Sequence, residues 1–298
     1  MRGGILNEHI TVTVIITTFN RQINFLKSAV KSVIEQTLKP DEIIVVDDNT
    51  NSLLSESIKS FCHKENIIYI HNLGTHGACA ARNLGISRAS GQFVAFLDDD
   101  DEWKANKLEE QVNAITNESV LIYCNGWKVD KRTNPETISE YRSSEQFINR
   151  VTFEELLEKN HIGTTSQLLI KKSALVEIDG FDEELPARQD YDLCLRLASC
   201  GNFIGINHHL FVHYIHFENQ ISKSSIASLR AYKKLYFKYK KYYDSQRCAK
   251  SNLFFKIARM ERLQLHYIMA SIYYLKGVIC NPSNWKSGIK EIQKDATV

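Results

Sequence analysis

The stretch Phe93-Val-Ala-Phe-Leu-Asp-Asp-Asp-Asp-Glu-Trp103 decides how the rest of the chain is interpreted. Its apolar run follows Gly91 and predicts a buried strand, which ends in four consecutive carboxylates, Asp98 to Asp101. If the extended backbone continues past the run, Asp98 and Asp100 point the same way, because side chains alternate along a strand. Two such carboxylates suit Mg²⁺ or Mn²⁺. Alternatively, these acids cap the N-terminus of a following helix.

The composition is that of an ordinary globular protein and says little more about the function. The 298 residues are 43% hydrophobic and 24% charged, enough for one large domain or two smaller ones. Seven cysteines without a C-x-x-C pair predict free thiols in a reducing compartment and no zinc site. The first residues are too polar for a signal peptide, and no run reaches about 18 apolar residues. We therefore expect a cytoplasmic protein.

Charge is distributed unevenly along the chain. Residues 226–298 contain 15 Lys and Arg against 4 Asp and Glu, a balance of +11. The other 225 residues hold 22 against 31, a balance of −9. An acidic body with a basic tail indicates two segments with different partners.

Strand and helix patterns alternate over the first ~110 residues, with predicted strands at 10–18, 42–48, 67–70 and 93–97. This alternation predicts an α/β fold with a doubly wound, mostly parallel sheet, in which ligands bind beyond the carboxyl ends of the strands. Polar clusters follow three of those strands, at Thr17 to Arg21, Asp47 to Asn49 and Asp98 to Asp101. Their recurrence favours a nucleotide-like ligand, and a chance supply of polar loop residues is the alternative.

Later segments add weaker candidates. The Gly74-x-x-Gly77 loop before a helix could place backbone N–H groups against a phosphate, although it is neither a dinucleotide fingerprint nor a P-loop. Arg82, inside that helix, is a diphosphate partner or a structural arginine. Asp190 lies where a helix should begin, so it is either an N-cap or a general base at the mouth of a site.

Taken together, these segments resemble the inverting, family-2 glycosyltransferases with the GT-A fold, over roughly residues 10–220. The motifs that carry the resemblance are Val14–Asn20, Ile44–Asp48, Gly77–Ile86, Gly91–Trp103, Gly180–Glu183 and Gln189-Asp190. The resemblance implies a catalytic domain over 1–222, with a donor-binding half at about 1–110 and an acceptor half at about 111–222. A basic, helical C-terminal region would occupy 223–298.

The resemblance also assigns roles to residues. The expected contacts of a nucleotide-sugar donor, most simply a UDP-sugar, are Thr17, Phe19, Arg21, Asp48, Arg82, Asp98 and Asp99. The expected ligands of Mn²⁺ or Mg²⁺ are Asp98, Asp100 and a late histidine, for which His216 is the candidate, with a structural histidine as the alternative. Thr17 and Phe19 would line the base pocket, Asp48 would bind the uracil edge and Arg82 would approach the diphosphate.

Asp190 matches the second residue of the family's Glu-Asp pair, the base that activates the acceptor. The first residue is Gln189 here, a departure that removes one negative charge beside the base. The implied reaction is a single in-line displacement by a glycan or lipid-linked acceptor, which inverts the anomeric centre. The implied enzyme is a hexosyl- or N-acetylhexosaminyl-transferase. A nucleotidyltransferase and an inactive scaffold that only binds a sugar nucleotide are the alternatives.

The basic tail predicts two helical segments. One apolar face comprises Ile226, Leu229, Tyr232, Tyr236, Tyr239 and Tyr243, with lysines between them. A second helical pattern runs from Leu253 to about Cys280. Packing as a helical hairpin explains the apolar face, while the lysine and tyrosine surplus suggests peripheral contact with anionic lipid at the inner face of the membrane. Nucleic-acid binding is disfavoured, because the acidic body would repel a phosphate backbone.

Overall fold

The computed structural model describes residues 9–141, 151–216 and 224–294. The chain divides into two compact units. The sheet unit contains the chain up to residue 150 together with 163–181 and 200–216. The helical unit contains residues 151–162, 182–199 and everything from 217 onward.

The sheet unit is built around one mixed sheet. Its strands are β1 (Val12–Thr18), β2 (Glu42–Asp47), β3 (Ile68–His71), β4 (Phe93–Asp98), β5 (Glu102–Trp103), β6 (Ser119–Asp130), β7 (Thr137–Glu140), β8 (Leu168–Lys171) and β9 (Asn202–Ile215). Their order is β3-β2-β1-β4-β8-β6-β9-β5, with β7 paired to β6. The first four strands of that order are parallel, and β8 runs antiparallel between β4 and β6.

Helices alternate with the first strands and then dominate the end of the chain. They are α1 (Ile23–Ile34), α2 (Ser52–Lys64), α3 (Ala78–Arg88), α4 (Lys107–Asn113), α5 (Phe153–Glu158), α6 (Lys172–Glu177), α7 (Gln189–Leu197), α8 (Ser225–Lys238), α9 (Lys240–Ser245), α10 (Arg247–Leu263), α11 (Tyr267–Cys280) and α12 (Trp285–Gln293). No helix in the described ranges is long and apolar enough to span a bilayer.

The central strands are buried because their sequences are apolar on both faces. In β1, Val14, Ile15 and Ile16 are all at most 1% exposed, and β4 is buried from Phe93 to Leu97. A continuous β-branched run of this kind is typical of a parallel strand covered on both sides. The predicted α/β class and its parallel core are therefore confirmed.

The structure also departs from the sequence prediction in detail. Strand β6 is 12 residues long and ends at Asp130, and the 14-residue strand β9 is absent from the sequence prediction. The helical pattern from Leu253 is interrupted, because α10 ends at Leu263 and Leu265 adopts a left-handed φ of 63° before α11 begins.

The helical unit packs α5 and α7 with the C-terminal helices. The Tyr191 hydroxyl donates to the Leu156 carbonyl at 2.8 Å, and the Tyr239 hydroxyl donates to Asp192 at 2.8 Å. Leu229 and Tyr232 of α8, Tyr239 just after it and Tyr243 of α9 are buried, whereas Ile226 is 51% exposed, so most of the predicted apolar face belongs to the interior of this unit. The predicted hairpin packing therefore explains that face. The domain boundary at 222 stays a prediction. Residues 151–162 and 182–199, which lie before that boundary, group with the later helices.

Candidate active site

Parallel pairing brings the polar ends of three strands to one edge of the sheet. Thr17 of β1 lies opposite Asp98 of β4 on one side and Val46 of β2 on the other. Thr18 lies opposite Asp47. The polar clusters predicted from the sequence at the ends of β1, β2 and β4 are therefore neighbours, as the topology of a parallel sheet requires.

Asp98 is the last residue of β4, and the three acids that follow it form a turn. The Asp101 N–H donates to the Asp98 carbonyl at 3.1 Å, which ends the strand at Asp98. The extended backbone therefore does not continue to Asp100, and strand alternation does not orient that side chain. The capping alternative also fails, because α4 begins only at Lys107 and its N-cap is Asn106.

Asp98 is held by an arginine and two threonines. Arg82 donates to its carboxylate at 2.7 Å, and the Thr164 and Thr165 hydroxyls donate at 3.2 Å each. Burial alone would raise the pKa of Asp98, but the Arg82 guanidinium outweighs it and holds that pKa below its usual value. The Phe181 ring lies 5.5 Å from the same guanidinium. Arg82 is therefore a buried, oriented cation of the site.

The Gly180-Phe181 segment fixes the position of that ring. Asn83 receives the Phe181 N–H at 2.8 Å and donates to the Phe181 carbonyl at 2.9 Å. Gly180 has φ 64°, and a Cβ there would lie 2.4 Å from the Asn83 amide oxygen. Only glycine meets both conditions. The Gly-Phe-Asp motif therefore supports Arg82 through Phe181.

Arg21 bridges the next two acids. Its guanidinium lies 3.1 Å from Asp99 and 3.1 Å from Asp100, and Thr18 donates to Asp99 at 2.6 Å. Burial and the neighbouring carboxylates raise the pKa of Asp99 to about 6. Burial and repulsion, first from Asp101, raise the pKa of Asp100 to about 7. The turn is thus crowded with negative charge that a nearby cation stabilises.

Asp101 was not singled out as a site residue from the sequence, yet it anchors the turn. It is 1% exposed and accepts hydrogen bonds from Ser166 at 2.6 Å and from His213 at 2.9 Å. Burial would lower the pKa of His213, but Asp101 raises it to about 9. His213 lies on β9, whose pairing next to β6 was absent from the sequence prediction.

Asp48 organises the predicted glycine loop. Its carboxylate accepts from Asn72 at 2.7 Å, from the Gly77 N–H at 2.8 Å, and lies 2.9 Å from the His76 ring. Gly77 has φ 124° and immediately precedes α3. Asp48 thereby fixes the loop that leads into the helix carrying Arg82.

The other predicted donor and metal residues lie around the same edge. Thr17 is partly exposed, and the Phe19 ring is 53% exposed. Asp100 and His216 line one cavity of about 170 Å³, together with Asn24, Phe25, Ser28, Asp101, Glu102, Lys131 and Tyr214. The His216 ring packs edge-on against Phe25 with ring centres 4.8 Å apart.

The side-chain oxygen and nitrogen atoms at this edge suit the coordination of a divalent cation. Asp98 and Asp100 supply hard carboxylate oxygens, and His216 shares a cavity with Asp100. Within residues 9–141, 151–216 and 224–294, no three acidic, histidine or cysteine side chains already form a metal-binding group.

Asp190 belongs to the helical unit, where it is the second residue of α7. The N-cap is Arg188, with a left-handed φ of 62°, so the N-cap alternative for Asp190 is wrong. The Gln189 amide donates to the Leu185 carbonyl at 3.0 Å. An ionised glutamate could not donate this bond, which gives the Gln189 departure a local structural reason.

A protein-family pattern matches residues 13–179, more than half of the chain, and is described as Glycosyl transferase family 2. The chain belongs to this family. The family resemblance drawn from the strand-end motifs is therefore confirmed.

Two relatives illustrate the range of the family. An uncharacterised glycosyltransferase of Methanocaldococcus jannaschii is 28% identical over 187 residues, which cover 62% of this chain and 63% of that protein. Escherichia coli WfgD, named as a UDP-Glc:alpha-D-GlcNAc-diphosphoundecaprenol beta-1,3-glucosyltransferase, is 26% identical over 73% of this chain and 79% of its own. The match thus spans less than two thirds of the archaeal relative.

Solved structures support the fold. S. aureus TarS 1-349 in complex with UDP-GlcNAc superimposes with a TM-score of 0.59 at 16% identity, covering 94% of this chain and 92% of TarS 1-349. GalNAc-T7 with UDP, GalNAc and Mn²⁺ gives a TM-score of 0.56 at 18% identity, over 70% of this chain and 44% of its own. The predicted GT-A fold is confirmed.

Proposed function

We propose that this protein is a metal-dependent, inverting glycosyltransferase that moves a sugar from a UDP-sugar to a glycan or lipid-linked acceptor. The observation that carries the proposal is the pairing of Arg82 with Asp98 and of Arg21 with Asp99 and Asp100. Cations and carboxylates alternate at the carboxyl edge of the sheet, where a parallel fold binds its ligands. That edge suits a donor carrying both a hydroxyl-rich ribose and a diphosphate.

The donor would be recognised by residues of the sheet unit. Thr17 and Phe19 offer a hydroxyl and an exposed ring for a uracil base, and Asp98 offers a carboxylate for the ribose. Arg82, whose guanidinium lies 5.5 Å from the Phe181 ring, offers positive charge to the diphosphate. UDP as the nucleotide is supported by the TarS complex with UDP-GlcNAc and by the name of WfgD.

Asp98, Asp100 and His216 would hold Mn²⁺ or Mg²⁺ at this edge. Such an ion, when bound, neutralises the negative charge that develops on the leaving nucleoside diphosphate. The ion is present in the related GalNAc-T7 structure. Arg21, which contacts Asp99 and Asp100, would orient these carboxylates and partly offset their mutual repulsion before the ion enters.

Asp190 would remove the proton from the acceptor hydroxyl as the oxygen attacks the anomeric carbon. One new C–O bond forms while the bond to the diphosphate breaks, so the anomeric configuration inverts. A hexosyl or N-acetylhexosaminyl group is the expected cargo. The reaction requires no enzyme nucleophile.

The first test replaces a proposed metal ligand. With Mn²⁺ present, the wild-type protein should slowly hydrolyse a UDP-sugar, and Asp100→Ala should lower that rate by about 10²–10³-fold or more. Asp244→Asn, which alters an acid of the helical unit paired with Lys250, is the matched control and should retain activity. Equal rates in Asp100→Ala and the wild-type protein would contradict the metal role.

The second test separates the base from donor binding. Asp190→Asn should lower transfer to an acceptor by about 10²–10⁴-fold, because no carboxylate would take the hydroxyl proton. Its affinity for the UDP-sugar, read as a thermal shift with Mn²⁺, should stay within about twofold of the wild-type value. Glu184→Gln, at an exposed acid nearby in sequence, is the control. Loss of the thermal shift would point to a structural role instead.

An inactive sugar-nucleotide scaffold is the competing proposal, since Gln189 replaces the family's first acid. A scaffold would show the thermal shift with UDP-sugars but neither hydrolysis nor transfer with any acceptor. Family membership leaves a nucleotidyltransferase without support, and the turn Phe19-Asn20-Arg21 after β1 lacks the glycine-rich loop of that class.

A further inference from the structure

Helix α11 exposes an apolar stripe. Ile268 is 80% exposed, Leu275 57% and Ile279 77%, with Ile272 at 39%. These four positions follow the spacing i, i+4, i+7 and i+11, which places them on one side of a helix. Single exposed apolar residues are common on protein surfaces. Four of them in one row form a contiguous patch, which is typical of an interaction surface.

The opposite side of α11 is the one that packs. Ala270 and Gly277 are buried. A Cβ on Gly277 would lie 2.5 Å from the Phe255 ring of α10, and so would a Cβ on Gly288 of α12. Both helices therefore rest closely on one aromatic ring. The packing fixes the direction of the stripe, which turns away from the interior of the helical unit.

One cation lies on α11 itself, and α12, which packs on the same Phe255 ring, adds two lysines and a tryptophan. Lys276 lies 4.9 Å from the Tyr273 ring, and Lys286 lies 5.7 Å from the Trp285 ring. Lys290 follows Lys286 by one turn of α12 and is exposed. In the described part of the helical unit, none of these three lysines is placed in an ion pair with a carboxylate. We name Ile268, Ile272, Leu275 and Ile279 with Lys276, Trp285, Lys286 and Lys290 the docking face.

Helix α8, the other basic helix, pairs its lysines with acids of the same unit. Lys233 pairs with Glu261 at 2.7 Å, and Lys238 lies 2.8 Å from Asp192. Leu229 and Tyr232 of this helix are buried, whereas Ile226 and Phe237 are exposed. These lysines and the buried tyrosine therefore serve internal packing in α8.

We propose that the docking face binds an anionic lipid bilayer. Charge complementarity selects this occupant, because negatively charged headgroups would neutralise Lys276, Lys286 and Lys290 while the isoleucines and Leu275 enter the acyl boundary. A second copy packed two-fold on the same face would bring these lysines together and repel. The exposed apolar stripe of this 14-residue helix could enter the headgroup boundary while its opposite side stays packed on Phe255.

This inference deepens the proposed function, on which its biological purpose rests. A lipid-linked acceptor presents its reacting hydroxyl at a membrane surface. An enzyme held there by the docking face would meet the acceptor at high local concentration. Trp285 suits the same boundary, because its ring is apolar while its N–H can bond to headgroups.

The test is co-sedimentation of the full-length protein with vesicles. We expect binding to vesicles containing phosphatidylglycerol, and at least about tenfold weaker binding to phosphatidylcholine alone. The double variant Ile268→Asp with Leu275→Asp should lose at least about tenfold in affinity for the anionic vesicles. Both positions are exposed, so the variant should fold, and its thermal unfolding midpoint checks this.

Phe237→Asp is the matched control, because Phe237 is 72% exposed on α8 and lies outside the docking face. It should bind anionic vesicles as the wild-type protein does. Equal losses in Phe237→Asp and the double variant, or no binding to anionic vesicles, would overturn the proposal. So would a lipid-free dimer that the double variant abolishes, since the occupant would then be a second copy.

The two proposals fail separately. UDP-sugar hydrolysis without vesicles should be unchanged in the double variant, because the docking face contains no residue assigned to donor binding or catalysis. Vesicle binding without hydrolysis would overturn the proposed glycosyltransferase activity and leave the proposed lipid-binding surface supported. Hydrolysis without vesicle binding would overturn the lipid-binding surface and leave the glycosyltransferase activity supported.

Discussion

The turn Asp98–Asp101 and the docking face both concentrate charge of one sign, but they differ in where that charge is balanced. In the turn, Arg82 contacts Asp98, Arg21 contacts Asp99 and Asp100, and His213 contacts Asp101. On the docking face, Lys276 lies over the Tyr273 ring and Lys286 lies over the Trp285 ring. The internal ion pairs of the turn orient its carboxylates, whereas the lysines of the docking face remain available to an anionic partner.

The difference has a physical basis in burial. Acids in the turn are largely removed from water, where an unpaired charge is costly, so each has a cation or several hydrogen-bond donors. The lysines of the docking face remain hydrated at no such cost. We therefore expect substitutions in the turn to change stability and substitutions on the docking face to change binding.

The largest effect expected from this contrast is at Asp101. Asp101→Ala should lower the free energy of unfolding by about 3–5 kcal/mol, because His213 and Ser166 would lose a buried partner. Urea denaturation followed by tryptophan fluorescence measures this, and Trp103 lies beside the turn. Asp130→Ala, which removes a partly exposed acid paired with Arg132, should shift the midpoint far less. Similar shifts in both variants would remove the contrast.

A smaller effect, on binding alone, is expected from reversing charge on the docking face. Lys286→Glu with Lys290→Glu should weaken binding to anionic vesicles by about 10–100-fold, since each lysine near such a surface contributes about 1 kcal/mol. The unfolding midpoint should stay unchanged. Raising the salt concentration should weaken wild-type binding and largely spare the residual binding of the variant. A variant that unfolds more easily would show that these lysines are structural.

The smallest expected effect concerns Glu261, a buried acid of the helical unit. Burial would raise the pKa of Glu261, but Lys233 and His266 contact it at 2.7 and 2.9 Å and hold that pKa below its usual value. Because the pKa of Glu261 is lower in the folded state, its ionised carboxylate stabilises the fold at pH values above the unfolded pKa of 4.5. That stabilisation is lost as the pH falls through the folded pKa.

Glu261→Gln should therefore cost about 1.5 kcal/mol at neutral pH and make stability less dependent on pH below 4.5. Thermal unfolding from pH 3 to pH 7 measures the difference between the variant and the wild-type protein. Parallel pH curves for the two proteins would show that Glu261 contributes no pH-dependent stability.

Much of the fold and part of the site could be predicted because they depend on local pattern. The apolar runs of β1, β2 and β4 identify buried parallel strands, and the topology of such strands brings Thr17, Asp48 and Asp98 to one edge. The family motifs followed from the same residues. These inferences required no knowledge of distant contacts.

The remaining features depend on contacts that local pattern does not encode. The turn after Asp98 is held by Ser166 and His213, which lie 65 and 112 residues away in the chain. The role of Asp101 depends on β9, whose mixed sequence with three histidines did not suggest a strand. Likewise, the pattern of α11 shows an apolar helix but not which side packs, because Phe255 of α10 decides that.

The close approach of Gly277 to the Phe255 ring has one more consequence. Ile268, Ile272, Leu275 and Ile279 are exposed and lie outside that contact. Substitutions in this outer row should therefore change what the helix binds without changing how it packs. Under the proposed lipid binding, affinity for a membrane could vary through this one row while the sheet unit keeps its sequence.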